Sequence, residues 1–125
     1  MKAVDSTIAI DYLRGQGSSI EFLTRLMDAG EVLAASEVMR FEVLAGIREQ
    51  EIEAVELFFS AFIWIAVDES VVRTAAGLAR AYRRSHSGID DVDYLTAATA
   101  LMLEAELLTT NVRHFPMFEG LRPPY

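Results

Sequence analysis

The most constraining feature of the sequence is an alternation of short β-forming apolar runs with longer segments of helical periodicity. The short runs cover about 2–4, 31–35, 63–67 and 106–109. Strands that alternate with helices of roughly 10 to 16 residues are typical of β-α-β units. The sequence therefore predicts an α/β fold with three α/β/α layers and a mostly parallel central sheet.

Capping residues and glycines set the bounds of the predicted helices. These helices cover about 6–13, 18–30, 36–48, 51–62, 68–83 and 90–104. Ser18 and Glu21 have capping-box spacing, which predicts that Ser18 caps the second helix. A last short strand is predicted near Leu121 and Arg122, ended by the prolines that follow.

Length and composition predict one domain over 1–125, located in the cytoplasm. The chain has 125 residues, of which 52% are hydrophobic. A domain of this size has a large surface, so part of the apolar material is expected to face a partner chain. Apolar runs of about ten residues are too short to span a bilayer, so no membrane association is expected. The absence of cysteine excludes disulfides and thiolate metal sites and favours a reducing compartment.

The net charge of −8 is unusual for a protein that binds nucleic acid. However, the basic residues are ten arginines and one lysine, and arginine binds phosphate in a bidentate manner. Composition alone therefore leaves both an enzyme and an interaction module open.

Asp5 and Glu42 are the first two candidate site residues. Asp5 follows the first predicted strand, where a helix-capping role is the simpler interpretation. Glu42 has apolar or small neighbours three and four residues away along its helix, such as Met39 and Ala45. A carboxylate in such surroundings needs a partner, although a solvent-facing position at the edge of the helix stays possible.

Asp90, Asp91 and Asp93 crowd the first turn of the last long helix. The helix dipole favours acidic residues there, which explains one or two of the three. Asp93 stands at the third helical position, from which it can point over the strand ends. The helix behind it has almost no polar face, so it is predicted to be buried.

These acids and Asn111 all lie at strand ends or on helices that begin there. Asn111 alone would be a turn residue. A doubly wound sheet brings such positions together, and gathered carboxylates repel one another unless they bind protons or a cation. Oxygen ligands without cysteine favour Mg²⁺ or Mn²⁺, and such a site suits hydrolysis of a phosphodiester.

Four segments resemble the PIN-domain family, specifically VapC-like toxins of bacterial toxin–antitoxin pairs. They are VDSTIAIDYLRG at 4–15, SEVMRFEVLAGI at 36–47, IDDVDYLTAATAL at 89–101 and LLTTNVRHFPMFEGL at 107–121. The resemblance covers nearly the whole chain. It implies a PIN-like fold, a Mg²⁺- or Mn²⁺-dependent ribonuclease that acts on RNA, and inhibition by a cognate VapB-like antitoxin. It also implies a homodimer or a toxin–antitoxin hetero-oligomer.

By that resemblance the family's acidic positions fall on Asp5, Glu42 and Asp93, which would be the metal ligands. The fourth site position falls on Asn111, where many relatives carry aspartate, so a second metal is in doubt. Asp90 and Asp91 are interpreted as cap and first-turn acids, with Asp90 a possible outer-shell ligand.

Other residues and functions stay open. The cations Arg80, Arg83, Arg84 and His86 either complete a helix C-terminus or form a phosphate-contacting edge, and Arg14 and Arg113 could do likewise. The aromatic segment around Phe58 is predicted to be core rather than interface. The competing functions are a catalytically weak PIN-like partner-binding module and an acidic α/β phosphotransfer domain. The second lacks nucleotide-binding loops, and Thr7 stands where a phosphatase would need a second aspartate.

Overall fold

The computed structural model describes all residues from Met1 to Tyr125 and contains one sheet flanked by helices. The strands are β1 (Lys2–Val4), β2 (Leu33–Ser36), β3 (Ile63–Ile65) and β4 (Glu106–Leu108). All are parallel, in the spatial order β3-β2-β1-β4. The helices are α1 (Ser6–Leu13), α2 (Gly17–Asp28), α3 (Glu37–Ala45), α4 (Ile52–Phe59), α5 (Glu69–Tyr82) and α6 (Asp91–Met102). Short 3₁₀ helices lie at Glu49–Glu51 and Val112–His114.

Side chains alternate between the two faces of the strands, and each face is covered by helices. Val4, Leu33 and Leu108 pack in one core cluster with residues of α1 to α4. Ala3 and Leu107 face the other way and pack with α6, which in turn packs against α5. The predicted three-layer α/β/α architecture with a parallel sheet is confirmed.

The aromatic segment lies in the core, as predicted. Phe58, Phe59 and Phe62 are buried, and Trp64 packs against them at an edge-to-face centroid distance of 4.9 Å from Phe59. The guanidinium of Arg40 stacks over the Trp64 ring at 4.0 Å, so this cation is engaged within the fold.

The strand order creates a switch point at the centre of the sheet. From β1 the chain proceeds to β2 on one side, whereas β4 pairs with β1 on the other side. Helices that leave adjacent strands in opposite directions open a crevice beyond the carboxyl ends of those strands. The residues that follow β1 and β4, beginning with Asp5 and Thr109, line this crevice.

Three local predictions were wrong. Ser18 does not cap α2, because the helix begins at Gly17 and the Gln16 side chain accepts the hydrogen bond from the Ser19 amide at 2.7 Å. Helix α3 ends at Ala45 rather than Arg48, since Gly46 occupies its C-cap.

The third wrong prediction is the last strand, because residues 121–122 form none. Leu121 packs instead against the core cluster around Phe115. Other element ends differ from the prediction by up to about three residues. No helix has the length and apolar character that crossing a membrane requires.

Candidate active site

Asp5 lies at the base of the crevice, directly after β1, and is 4% exposed. Its backbone amide donates to the Leu108 carbonyl at 2.9 Å, which fixes it beside the end of β4. Asp5 occupies the N-cap position of α1, but its side chain makes no capping hydrogen bond. Oδ2 instead accepts from the Thr109 hydroxyl at 2.7 Å and from the Thr7 hydroxyl at 3.0 Å. Both bonds reach one oxygen, which leaves Oδ1 for another ligand.

The two threonines tie the turn after β4 to the start of α1. Thr7 Oγ1 accepts from the Thr110 amide at 3.1 Å, and Thr109 Oγ1 accepts from the Asn111 amide at 3.0 Å. Each hydroxyl therefore accepts from the backbone and donates to Asp5. This arrangement offsets the cost of burying a carboxylate and holds Asp5 in one orientation.

Asp93 lies in the first turn of α6 and is held in a similar way. Its Oδ2 accepts from the Asp90 amide at 3.3 Å and lies 2.8 Å from His114 Nδ1. In return, Asp90 Oδ1 accepts from the Asp93 amide at 3.1 Å, which completes a capping box. Burial raises the pKa of Asp93, and the charge of Asp90 adds to this, against the lowering by the Asp90 amide and His114.

Glu42 projects from α3 and is partly buried near the same acids. Burial raises the pKa of Glu42, the Ser6 hydroxyl lowers it, and the charges of Asp5, Asp93 and Asp90 raise it further. The predicted acids of β1, α3 and α6 therefore share one electrostatic environment. The apolar neighbours that singled out Glu42 in the sequence correspond to this burial.

His114 is a site residue that the sequence argument missed. Its Nδ1, which donates to Asp93 Oδ2 when it carries the proton, lies 2.8 Å from that oxygen and 2.8 Å from the side-chain Nδ2 of Asn111, so it stands between the two residues. Asn111 thus reaches the acids through His114 and forms no hydrogen bond with any of them. The signal was available: Asn111 and His114 are three residues apart after the last strand, a spacing that places them on one face of a helical turn.

The carboxylate oxygens of Asp5, Glu42 and Asp93 are ligands that suit a hard divalent cation, but the three side chains are widely spaced. Asp5 and Asp93 each keep Oδ1 without a hydrogen-bond donor, and the repulsion that raises the pKa of Glu42 would be relieved by a cation. No three side chains among His, Cys, Asp and Glu are close enough to enclose an ion. Mg²⁺ keeps several of its waters and needs only one or two direct carboxylates, so an open oxygen-rich site of this kind suits it.

The remaining predicted candidates lie around the site. Asp90 is the N-cap of α6, and Asp91 forms an exposed ion pair with Arg83 at 3.0 Å, so both are the cap and first-turn acids predicted. Arg80, Arg83 and Arg84 line a groove between α5 and α6. Arg14 and Arg113 are exposed and form no ion pair.

Comparison with known proteins places these features in context. The PIN domain family model matches residues 2–118. The chain is 58% identical over 125 residues to "Ribonuclease VapC19" of Mycobacterium tuberculosis, with full coverage of both chains. It is 40% identical over 125 residues to "Ribonuclease VapC10" of the same organism, covering 100% of this chain and 93% of the other.

Two solved structures share the fold. A toxin–antitoxin complex from Klebsiella pneumoniae contains a chain with a TM-score of 0.81 and 22% identity, covering 100% of this chain and 98% of that one. VapBC-1 from nontypeable Haemophilus influenzae gives a TM-score of 0.77 at 25% identity, covering 97% of this chain and 94% of the other.

Proposed function

The chain belongs to the PIN-domain family, and on that premise we propose that it is a divalent-metal-dependent endoribonuclease of the VapC kind. It acts as the toxin of a toxin–antitoxin pair, as a single domain over 1–125 in the cytoplasm. The observation that carries the proposal is that Asp5 and Asp93, held near the carboxyl ends of β1 and β4, both act through their charges on Glu42.

The proposed metal ligands are Asp5, Glu42 and Asp93, with Mg²⁺ or Mn²⁺ as the ion. Such an ion lowers the pKa of a bound water and neutralises charge that develops on the phosphate. Thr7 and Thr109 orient the Asp5 carboxylate, and His114 with the Asp90 amide orients that of Asp93. Both acids then present Oδ1 in a fixed direction.

Glu42 is the best placed of the three carboxylates to take up a proton. It is less firmly held than the two aspartates, since the Ser6 hydroxyl is the only hydrogen-bond donor that acts on it. Burial and the neighbouring acids raise its pKa in the metal-free protein, so Glu42 takes up a proton more readily than a solvent-exposed glutamate. We assign it the role of accepting a proton from the attacking water.

The proposed partner besides RNA is a cognate VapB-like antitoxin, which keeps the toxin inactive, in a homodimer or a hetero-oligomer. Related solved structures are toxin–antitoxin complexes. On this chain, Phe41 of α3 is 68% exposed and Leu57 of α4 is 76% exposed. Large apolar side chains with such exposure are available for a protein contact.

The direct test is cleavage of structured RNA by protein freed of antitoxin. Parallel samples contain Mg²⁺ or Mn²⁺, contain EDTA, or carry Asp93→Asn. Discrete cleavage that needs the ion and is lost in the variant supports the proposal. Absence of both cleavage and metal binding refutes it.

That negative outcome would favour the catalytically weak partner-binding module. This alternative is supported by the wide spacing of the three acids and by the neutral side chain at Asn111. The phosphotransfer alternative has no such support, because the Thr7 hydroxyl is engaged with Asp5.

A further inference from the structure

A groove between α5 and α6 lies beside the candidate active site. It has a volume of about 640 Å³. Arg80, Arg83 and Arg84 line it, and apolar side chains such as Leu95 form the rest of its wall. All three arginines are exposed. The groove thus combines a cationic edge with an apolar wall.

The three arginines are unusual in this chain because they are concentrated on one helical turn. The molecule has a net charge of −8, and Lys2, Arg40, Arg48 and Arg73 are used in ion pairs elsewhere in the fold. Arg83 is neutralised by Asp91, whereas Arg80 and Arg84 form no ion pair. Arg84 follows the end of α5 at Tyr82, and the unpaired guanidinium groups of Arg80 and Arg84 repel each other across the groove that both line. An anionic ligand would offset this repulsion.

Tyr94 forms the buried part of the groove wall and is 2% exposed. Its hydroxyl is the only buried side-chain polar atom in the chain without a hydrogen-bond partner. Because this oxygen has almost no accessible surface, Tyr94 contributes its ring to the apolar wall of the groove.

The groove and Asp93 lie on different faces of α6. Asp91, Tyr94 and Leu95 line the groove on the side of α5. Asp93, between them in sequence, is turned nearly to the opposite face, toward His114 and the strand ends, since a helix has about 3.6 residues per turn. The two faces meet only at the N-terminal end of α6, so a strand that reaches both the groove and the acids passes over that end.

We infer that this groove binds phosphate groups of the RNA strand through Arg80 and Arg84 and guides the strand to the acids. The inference rests on the proposed function and adds the path of the substrate. Guanidinium groups suit phosphate oxygens, and the apolar wall suits an unstacked base. A second copy of the chain is disfavoured, because a symmetric contact would bring the same arginines together.

The test is the salt dependence of RNA binding by the double variant Arg80→Gln/Arg84→Gln. All proteins carry Asp93→Asn so that a labelled single-stranded RNA stays intact, and fluorescence anisotropy gives Kd at several salt concentrations. The control, Arg25→Gln/Arg122→Gln, removes two arginines that form no ion pair and lie outside the groove. We compare the slope of the logarithm of the association constant against the logarithm of the salt concentration with that of Asp93→Asn alone. Loss of two phosphate contacts should make this slope shallower by roughly 1.4 in the groove variant. The slope should change much less in the control.

The outcomes separate this inference from the proposed function. If the unmutated protein cleaves RNA and the two double variants show equal salt slopes, the groove inference is overturned and the proposed function stands. If the parent neither cleaves nor binds RNA, both are overturned. If the groove variant binds RNA normally and loses the antitoxin, the groove docks a protein and the RNA inference is wrong.

Discussion

At the scale of single residues, the site depends on how each carboxylate is held. Asp5 and Asp93 each use one oxygen for internal hydrogen bonds and keep the other free. A structural cap also uses only one oxygen: Asp68 accepts from the Val71 amide at 3.0 Å at the start of α5. Asp5 and Asp93 differ from it because their charges act on Glu42, an acid of another element. This contrast makes the two kinds of acid distinguishable by experiment.

Asp93→Asn should raise Tm by a few degrees in metal-free buffer at neutral pH. Asparagine keeps an acceptor for the Asp90 amide and removes a charge that repels Glu42 and Asp90. Asp68→Asn is the matched control and should bring no gain, because its charge favours the helix N-terminus. Thermal unfolding with EDTA measures both, and a loss of stability in Asp93→Asn equal to that in the control would mean that Asp93 is only a cap.

The stability gained by Asp93→Asn should depend on pH, and the sign of this dependence follows from the pKa shifts. In the folded protein the pKa of Asp93 is raised above 3.8 and the pKa of Glu42 above 4.5. The folded state then holds protons that the unfolded state has lost, so these groups destabilise the fold as pH rises through their folded pKa values. The advantage of Asp93→Asn should therefore be small at acidic pH and grow towards neutrality. Divalent cations should remove it by stabilising the parent.

His114→Ala should weaken binding of Mn²⁺ about 10- to 100-fold. The imidazole holds Asp93 Oδ2, and loss of a group that orients a metal ligand typically has an effect of that size. His86→Ala is the control: His86 is the chain's other histidine, and its Nδ1 contacts the Ser85 hydroxyl at 2.8 Å. Calorimetric titration measures both, and equal affinities in the two variants would exclude an orienting role for His114.

The acids could be predicted from the sequence because strand ends in a parallel sheet converge, whatever the details of packing. His114 was missed because the sequence argument followed carboxylates. Its spacing from Asn111 was visible in the sequence, but its contact with Asp93 depends on where the 3₁₀ helix after β4 directs the ring. For Arg80, Arg83 and Arg84 the sequence left two interpretations open, a helix C-terminus and a phosphate-contacting edge. Only the packing of α5 on α6 shows that Arg83 is paired and Arg80 is not.

At the scale of elements, the cap of α3 positions Glu42. The Ser36 hydroxyl accepts from the Val38 amide at 3.1 Å and is buried between β2 and α3. We expect Ser36→Ala to lower the free energy of unfolding by about 1 kcal/mol, within a range of roughly 0.5 to 2. Because the start of α3 would loosen, metal affinity should fall as well. Chemical denaturation and metal titration measure the two effects.

Ser18→Ala is the matched control for this prediction. Ser18 lies inside α2 and is exposed, whereas Gln16 makes the capping hydrogen bond. Alanine is a better helix former than serine, so this change should be neutral or slightly stabilising. A cost equal to that of Ser36→Ala would contradict the cap assignment.

Most elements were predictable because apolar periodicity and capping signals agree with the fold. The failures occurred where two local signals competed. Ser18 and Gln16 both offer a side-chain acceptor two residues apart, and the tertiary packing of Ser19 selects Gln16: the Ser19 hydroxyl donates to the Ile8 carbonyl at 3.0 Å. Leu121 has strand propensity but lies next to Pro123 and Pro124, and it packs as a loop residue.

At the scale of the whole molecule, the surface expected to bind RNA is separate from the apolar surface expected to bind a protein partner. The acids gather at one edge of the sheet, and the unpaired arginines lie beside them, so an acidic protein can still offer phosphate contacts. The two most exposed large apolar side chains, Phe41 and Leu57, lie on α3 and α4, elements that cover the opposite layer from α5 and α6. RNA binding and partner binding should then respond to different substitutions.

Phe41→Gln and Leu57→Gln, tested singly, should weaken association with the cognate antitoxin about tenfold or more each. Truncating a side chain at a hot spot of an interface costs about 2 kcal/mol or more, which exceeds a factor of ten in Kd. Tm of the free toxin should be nearly unchanged, because these side chains are 68% and 76% exposed. The control is Met27→Gln on α2, whose side chain is 37% exposed. If antitoxin binding is unaffected in both variants while RNA cleavage falls, the α3–α4 surface serves the substrate, and the division of surfaces argued above is wrong.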